Sequence, residues 1–342
     1  MAHLLRGLAA GGTLRVIAAD TTDLVAEALE RHAAGVTAGA ALGRTLTASL
    51  LLAHVLLKDR RDRVTVKLDG GGPLGGVIAD AGLDGTVRGY ARRPEVELPP
   101  RADGKIDVGG AVGRDGHIEV IRSHAPYGDP YASSVELASG EVAEDVATFL
   151  ARSEQIASAV LLGVSFDETR RGGRDGRNGP AAARVRRAGG VILQALPGAE
   201  DAAVTLLEAN VRAFGQLTDE LAHHDLLRVM EELTWGLGFE LLTQQALPLA
   251  FRCRCSDGKA LAAVAYLTPA ERAQMVAEQG GAEVVCHWCR EARFVDAGAM
   301  ATLGATEVRC PDCGALWYRE GVTTMVRDEE RCACGRRVAL SA

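Results

Sequence analysis

The chain has 342 residues, more than one ordinary hydrophobic core holds, because domains usually contain roughly 100 to 200 residues. With 47 % hydrophobic and 24 % charged residues it has a globular composition, and apolar stretches such as 46–57 are too short to cross a membrane. A net charge of −7 argues against a general nucleic-acid binder. The first twenty residues lack the features of a signal peptide, so we expect a cytoplasmic protein that binds neither nucleic acid nor a membrane.

The first part of the chain predicts a strand followed by two helices. Residues 14–19 indicate a short strand, and Thr21 or Thr22 can cap a helix that includes Leu24. A second helix is predicted at about 38–57, where apolar residues surround the helix axis almost completely. This pattern is typical of a buried helix.

From Arg63 onward, apolar and polar residues alternate around glycine turns, which predicts antiparallel strands. The strands are expected to continue through 105–123, with a turn at 114–116. The segment 142–162 returns to helical spacing and predicts a helix with several core contacts. The candidate core residues are Val146, Phe149, Leu150 and Ile156.

Residues 168–190 are rich in glycine and arginine and predict a solvated loop without a function of its own. A short strand at 191–198 is expected to end the first domain. One amphipathic helix over 204–221 and another over 226–233 follow, and we expect them to pack on the first domain. Unfolding of a neighbouring domain would uncover their large apolar face.

All eight cysteines lie between Cys253 and Cys334, after a long body without cysteine. This clustering favours metal binding or redox sensing over a disulfide framework. The first four form the pattern CxC…CxxC, which can bring two sulfurs to a zinc ion from each side. They are Cys253, Cys255, Cys286 and Cys289.

A second quartet repeats this chemistry in the reverse order, CxxC…CxC, with Cys310, Cys313, Cys332 and Cys334. The segment 306–313 (TEVRCPDC) resembles 282–289 (AEVVCHWC) after a shift of twenty-four residues. A second zinc ion is therefore predicted. The grouping stays open, because the two CxxC pairs alone also form a zinc ribbon, which would leave the two CxC pairs to share the other ion.

Several segments along the chain, in this order, resemble the 33 kDa chaperonin family, the redox-regulated holdase chaperones of the HslO type. The resemblance extends to about residue 297. The segments are ALGRTL at 41–46, GGPLGG at 71–76, RGY at 88–90, SEQIASAVLLGV at 153–164, GGVILQALPGA at 189–199, FRCRCS at 251–256 and CHWC at 286–289.

The resemblance implies a chaperone that is zinc-bound and inactive while reduced. Under oxidative stress it becomes an ATP-independent holdase for unfolded client proteins and is commonly a homodimer. The resemblance also implies that the first quartet supplies the zinc ligands and that oxidation joins Cys253 to Cys255 and Cys286 to Cys289. Two departures are that Arg293 replaces an aromatic residue usual in the family, and that the chain continues for about forty-five residues with the second quartet.

The expected architecture is α+β and has four parts. An N-terminal α/β chaperone core domain (1–198), with an antiparallel sheet and packed helices, precedes a helical linker region (199–248). A small zinc-binding redox-switch domain (249–297) and a zinc-ribbon-like extension (298–342) follow.

Two other functions compete with the chaperone. A zinc-ribbon adaptor could bind nucleic acid or a protein partner through the C-terminal tail, although acidic and basic residues are equal in number from Phe251 to Ala342. A thiol oxidoreductase is a weaker alternative, because no thioredoxin-like strand-CxxC-helix context is apparent. The chain also lacks the GxSxG and HExxH motifs of hydrolases, and we expect it not to be an enzyme.

Overall fold

The computed structural model describes residues 1–124, 129–167, 183–242 and 245–303, together with the backbone of four short strands beyond them. The chain divides into two compact units, Met1–Cys253 and Arg254–Ala342. The helices are α1 (Thr22–His32), α2 (Val36–Leu56), α3 (Val108–Val112), α4 (Val142–Arg152), α5 (Asp201–Ala213), α6 (Leu217–His223), α7 (Leu226–Leu233), α8 (Asp257–Ala265), α9 (Pro269–Gln279) and α10 (Ala297–Ala301).

The described strands form two large sheets in the first unit and three separate hairpins in the second. Those of the first unit are β1 (His3–Ala9), β2 (Leu14–Asp20), β3 (Arg63–Gly71), β4 (Val77–Gly82), β5 (Thr86–Ala91), β6 (Gly113–Ser123), β7 (Tyr131–Glu136), β8 (Ser158–Phe166), β9 (Val185–Ala195), β10 (Glu240–Leu241), β11 (Leu247–Pro248) and β12 (Ala250–Phe251). Those of the second unit are β13 (Gly281–Val285), β14 (Ala292–Asp296), β15 (Thr306–Arg309), β16 (Leu316–Arg319), β17 (Glu330–Arg331) and β18 (Arg337–Val338).

The first sheet has the order β10-β1-β2-β9-β8, and β11 also pairs with β1. The second sheet has the order β12-β5-β4-β3-β6-β7. Neighbouring strands of both sheets are antiparallel, except that β12 runs parallel to β5. The protein is therefore of the α+β class, as predicted.

Helix α2 packs against both sheets of the first unit, touching β3, β4 and β5 of the second sheet and β2, β8 and β9 of the first. Glycines on this helix permit its closest contacts. A Cβ atom at Gly39 would lie 2.7 Å from a methyl carbon of Leu29, and one at Gly43 would lie 2.7 Å from Val25 and 2.8 Å from Val164. The predicted burial of the helix on all sides is confirmed.

The polar side chains within α2 are satisfied locally. The hydroxyl groups of Thr45, Thr47 and Ser49 donate to the carbonyl oxygens four residues earlier, at 2.8–2.9 Å. Thr21, at the N-cap position of α1, bonds Thr47 at 2.7 Å instead of capping its own helix, and the Asp20 carboxylate accepts from the backbone at the start of α1. These bonds remove the cost of burying hydroxyl groups.

Within the described residues, α2 alone is long and apolar enough to cross a membrane by length and composition. However, 89 % of its most apolar 18-residue window is buried inside the protein. A core helix of a globular domain has this property.

Helices α5, α6 and α7 form a layer on the first sheet. Their apolar side chains share one core cluster with residues of β2 and β9, and the predicted packing of these helices on the preceding fold is confirmed. The helices differ in how many residues they bury: α7 buries four, whereas α5 buries only Leu207. The residues buried on α7 are Leu226, Val229, Met230 and Leu233.

A buried ion-pair network crosses the second sheet. Arg63 on β3 and Asp80 on β4 are 5 % and 4 % exposed, and Arg63 Nη2 lies 2.9 Å from Asp80 Oδ1. Arg88 Nε approaches the same carboxylate oxygen at 3.2 Å, and the Thr65 hydroxyl donates to the other oxygen at 3.1 Å. Because Arg63 and Asp80 are both withdrawn from water, each charge is stabilised mainly by its partner, and loss of either residue would leave the other buried and poorly paired.

Three predicted boundaries are wrong. The helix predicted over 142–162 ends at Arg152, and strand β8 begins at Ser158. Ile156 lies between them and is only half-buried. The other predicted core residues, Val146, Phe149 and Leu150, are buried. The loop predicted over 168–190 is too long, because β9 begins at Val185; residues 168–182 lie outside the described residues. The single helix predicted over 204–221 is two helices, separated at 214–216.

The predicted turn at 114–116 is also wrong. These residues form a bulge within the continuous strand β6, opposite Asp69 and Gly70. Extra residues in one strand of an antiparallel pair commonly produce such a bulge.

The short helix α3 precedes β6 and is capped by Asp107, whose carboxylate accepts from the Gly110 N–H at 2.8 Å.

Candidate metal centre

The CxxC pair of the first quartet lies in the turn between β13 and β14. The Cys286 N–H donates to the Glu291 carbonyl at 2.9 Å, and the Arg290 N–H donates to the Cys286 carbonyl at 2.7 Å. Arg290 has a φ of 61°, a left-handed conformation that reverses the chain directly after Cys289. The hairpin and its backbone bonds thus hold both cysteines in one tight turn.

The CxC pair follows β12 and precedes α8. Cys255 immediately precedes Ser256, the N-cap of α8, whose hydroxyl accepts from the Lys259 N–H at 3.3 Å. The Lys259 ammonium donates to the Arg254 carbonyl at 2.8 Å. Capping and this side-chain bond fix the chain on the C-terminal side of the pair.

The four sulfur atoms converge. All lie within 4.8 Å of one another, and Cys255 Sγ is 3.6 Å from Cys289 Sγ. Sulfurs that share a tetrahedral zinc ion are about 3.8 Å apart, because each zinc–sulfur bond is about 2.3 Å long. Cys289 is buried and the other three cysteines are half-buried. Both the donor set and its spacing therefore fit a zinc ion.

Three charged side chains surround Cys255, and sequence reasoning did not identify them as a group. Arg293 Nη1 donates to Asp257 at 2.6 Å, and Nη2 donates to Glu291 at 2.7 Å. Nη2 also lies 3.8 Å from Cys255 Sγ, and Glu291 Oε2 lies 3.7 Å from the same sulfur. The hydrogen bond to Asp257, and then that to Cys255, raise the pKa of the Arg293 guanidinium above its ordinary value.

Sequence position partly explains why this charged group was missed. Glu291 and Arg293 closely follow the CxxC motif, but Asp257 is thirty-six residues from Arg293 along the chain. Only the convergence of β14 with the start of α8 brings them together.

The second predicted quartet, Cys310, Cys313, Cys332 and Cys334, lies outside the described residues.

Comparisons with known proteins agree with this architecture. A family model described as Hsp33 protein matches residues 2–296. The 33 kDa chaperonin of Thermus thermophilus is 48 % identical over 349 aligned positions, covering 99 % of this chain and 98 % of the relative. That of Deinococcus radiodurans is 47 % identical, covering 90 % of this chain and 99 % of the relative.

A solved structure is also similar. The crystal structure of the 33 kDa chaperonin (heat shock protein 33 homologue) of Thermotoga maritima matches with a TM-score of 0.75 at 31 % identity. The match covers 87 % of this chain and 96 % of that chain.

The fold and the relatives define a chaperone rather than an enzyme, since the proteins of this group are named chaperonins. The chain belongs to the Hsp33 family. A chaperone function in turn implies the binding of client proteins.

Proposed function

We propose that the chain is a redox-regulated, ATP-independent holdase that is inactive while reduced and zinc-bound, and that binds unfolding proteins after oxidation. The observation that carries the proposal is the convergence of four cysteine sulfurs within 4.8 Å in a member of a chaperone family. The proposed setting is the cytoplasm, and the proposed oxidised form is a homodimer. The four-part division at residues 198, 248 and 297 belongs to the same proposal.

Cys253, Cys255, Cys286 and Cys289 are the proposed zinc ligands. A bound zinc ion would keep their sulfurs as thiolates and tie the CxC segment to the β13–β14 hairpin. Thiolates are also the form of cysteine that oxidants attack. The same four residues can therefore hold the fold together and sense the oxidant.

Oxidation removes the ligands in pairs. Hydrogen peroxide converts one sulfur to a sulfenic acid, and the neighbouring thiolate displaces hydroxide from it to form a disulfide. In each pair two thiolates lose two electrons, while one peroxide and two protons become two molecules of water. The proposed pairs are Cys253 with Cys255 and Cys286 with Cys289, as the family resemblance implies, and the CxC and CxxC spacing keeps the two sulfurs of each pair near each other along the chain.

Loss of the ligands should unfold the surrounding structure, since the described core of the second unit is a small cluster of apolar residues. The chain between the helical layer and Cys253 is held by β10, β11 and β12, each only two residues long. Helix α5 is also shallowly buried. We propose that disorder spreads back along this segment and uncovers the apolar faces of α5–α7 for clients.

The function is tested with purified full-length protein. Treatment with peroxide and mild heat, or with hypochlorous acid, is expected to release zinc and to produce suppression of aggregation of a denatured client. Zinc release is measured with a chromophoric chelator and aggregation by light scattering. Equal suppression by the reduced, zinc-loaded protein would contradict a redox switch, and reduced protein that contains no zinc would contradict the metal site.

A second zinc ion in the C-terminal extension is part of the proposal, supported by the backbone of the hairpins. The β15–β16 hairpin has the pairing register of β13–β14 after a shift of twenty-four residues. In sequence, Cys310 and Cys313 fall between β15 and β16, as Cys286 and Cys289 fall between β13 and β14. The equivalent pairs are Ala282–Val295 with Thr306–Arg319, and Val285–Ala292 with Arg309–Leu316.

The second CxC pair has a similar position. Cys332 and Cys334 fall in sequence between β17 and β18, which also pair antiparallel. Two cysteine-containing hairpins are the usual framework of a zinc ribbon. We therefore propose that Cys310, Cys313, Cys332 and Cys334 hold the second ion separately from the first quartet.

Metal analysis of the wild type and of Cys310→Ser separates the two proposed sites. We expect about two equivalents of zinc in the reduced wild type and one in the variant, with the oxidative switch retained, because each quartet supplies four ligands of its own. Cys286→Ser is the matched variant and should lose both one equivalent and the switch. A wild type with a single zinc, or a Cys310→Ser protein without a switch, would contradict an independent second site.

A further inference from the structure

The charged side chains around Cys255 have a consequence for the strength of metal binding. A zinc ion held by four thiolates carries a net charge of −2, and Glu291 Oε2 lies only 3.7 Å from Cys255 Sγ. The negative charge at this point of the cluster is therefore high. Arg293 places a positive charge beside it, with Nη2 at 3.8 Å from the sulfur and at 2.7 Å from Glu291.

The guanidinium is held in place from two sides. Its Nη1 bonds the Asp257 carboxylate at 2.6 Å in the first turn of α8, while its backbone belongs to β14. The Arg293 side chain is 22 % exposed, so its charge is less screened than that of a fully solvated arginine. A planar, always charged group that bridges two carboxylates is suited to directing one N–H at a thiolate.

We propose that Arg293 is a positioning residue for the metal centre, which orients the Cys255 sulfur and offsets the negative charge of Glu291 and the thiolates. This inference rests on the proposed function, because it concerns the same four cysteines. Groups that hydrogen-bond metal ligands typically change metal affinity by about 10- to 100-fold when removed. Arg293 thereby sets how firmly the reduced protein holds its zinc.

The test measures zinc affinity in the reduced, full-length protein by competition with a chromophoric chelator. All proteins carry Cys310→Ser, so that the first quartet is read alone. Arg293→Met is expected to weaken binding by about 10- to 100-fold. Arg290→Gln, which removes an exposed positive charge from the same turn, is the matched control and should stay within about twofold.

Two further variants separate charge and orientation from simple packing. Arg293→Lys keeps the positive charge and should lose less affinity than Arg293→Met. The double variant Arg293→Met/Glu291→Gln should recover much of the loss, because it removes the carboxylate that the guanidinium offsets. A purely structural role for Arg293 would leave the loss unchanged in both proteins.

The outcomes are distinct. Unchanged affinity in Arg293→Met, or a loss that neither lysine nor Glu291→Gln reduces, would overturn the role of Arg293 while leaving the proposed function intact. If Arg293→Met does not fold at saturating zinc, the comparison of Arg293→Lys with Arg290→Gln decides, and equal affinities would overturn the inference. A parent protein that binds no zinc at all would instead overturn the proposed function.

Discussion

Removal of metal from the reduced protein is expected to expose the backbone amides of β13 and β14 to hydrogen exchange, while β2 and β9 keep their protection. The apolar cluster described in the second unit has six buried residues, two of them alanines, which is small for a self-supporting core. Structural zinc contributes on the order of 10 kcal/mol to such folds. The six residues are Ala260, Val264, Ala282, Val295, Met300 and Leu303.

Hydrogen-exchange mass spectrometry before and after treatment with a strong chelator checks this expectation. Zinc added back under reducing conditions is the control and should restore protection of β13 and β14. If protein shown by metal analysis to be zinc-free keeps its protection, the apolar cluster alone holds the second unit folded. This result would contradict the expectation that metal loss unfolds it.

The second large effect is expected in the first unit. Asp80→Ala should lower the free energy of unfolding by about 3 to 5 kcal/mol, because it leaves the buried charge of Arg63 without its main partner. Arg63 Nη1 keeps the Thr86 hydroxyl at 2.8 Å and the Asp84 carboxylate at 3.3 Å, but Asp84 is exposed, so its charge offsets that of Arg63 less than the buried Asp80 does. The measurement is urea denaturation of the reduced, zinc-loaded protein, followed by circular dichroism.

Asp59→Ala is the matched control, since it removes an exposed ion pair with Arg61. Surface pairs of this kind contribute little to stability, so the unfolding midpoint should stay near that of the wild type. A midpoint for Asp80→Ala equal to that of Asp59→Ala would show that the sheet tolerates the loss of this carboxylate.

Helix α2 was predictable because its apolar residues occur on every side, which a surface helix could not tolerate. Strand β8 was not. Its centre, AVLLGV at 159–164, is a continuous apolar run, and periodicity alone does not distinguish a strand from a helix in such a run. Its pairing with β9, across the intervening chain, decides the conformation.

Strand β1 was also missed. Its burial alternates only partly, and its conformation depends on pairing with β2, β10 and β11, the last two contributed by residues more than two hundred positions later. The short strands β10 to β12 carry no pattern of their own. Long-range pairing therefore determined the elements that local sequence did not.

The candidate metal centre, like the fold, was predictable only in part. Cysteine spacing indicated the first quartet but left the grouping of the eight cysteines open, because different combinations of close pairs can bring four sulfurs to one tetrahedral ion. The charged setting of Cys255 could not be predicted, since Asp257 and Arg293 meet only after α8 and β14 have packed. The candidate ligands are thus visible in the sequence, whereas the charged groups beside them are visible only in the fold.

The position of α2 against both sheets also bears on how the protein would recover from the proposed oxidative unfolding. Neither sheet can separate from α2 without exposing a helix that is apolar on every side, so α2 and the two sheets, apart from the short strands β10 to β12, should unfold as one cooperative unit. A chaperone must remain refoldable while part of it is disordered. Here α2 and the sheets around it would stay folded, and the disordered segments could pair with them again once the oxidant is gone.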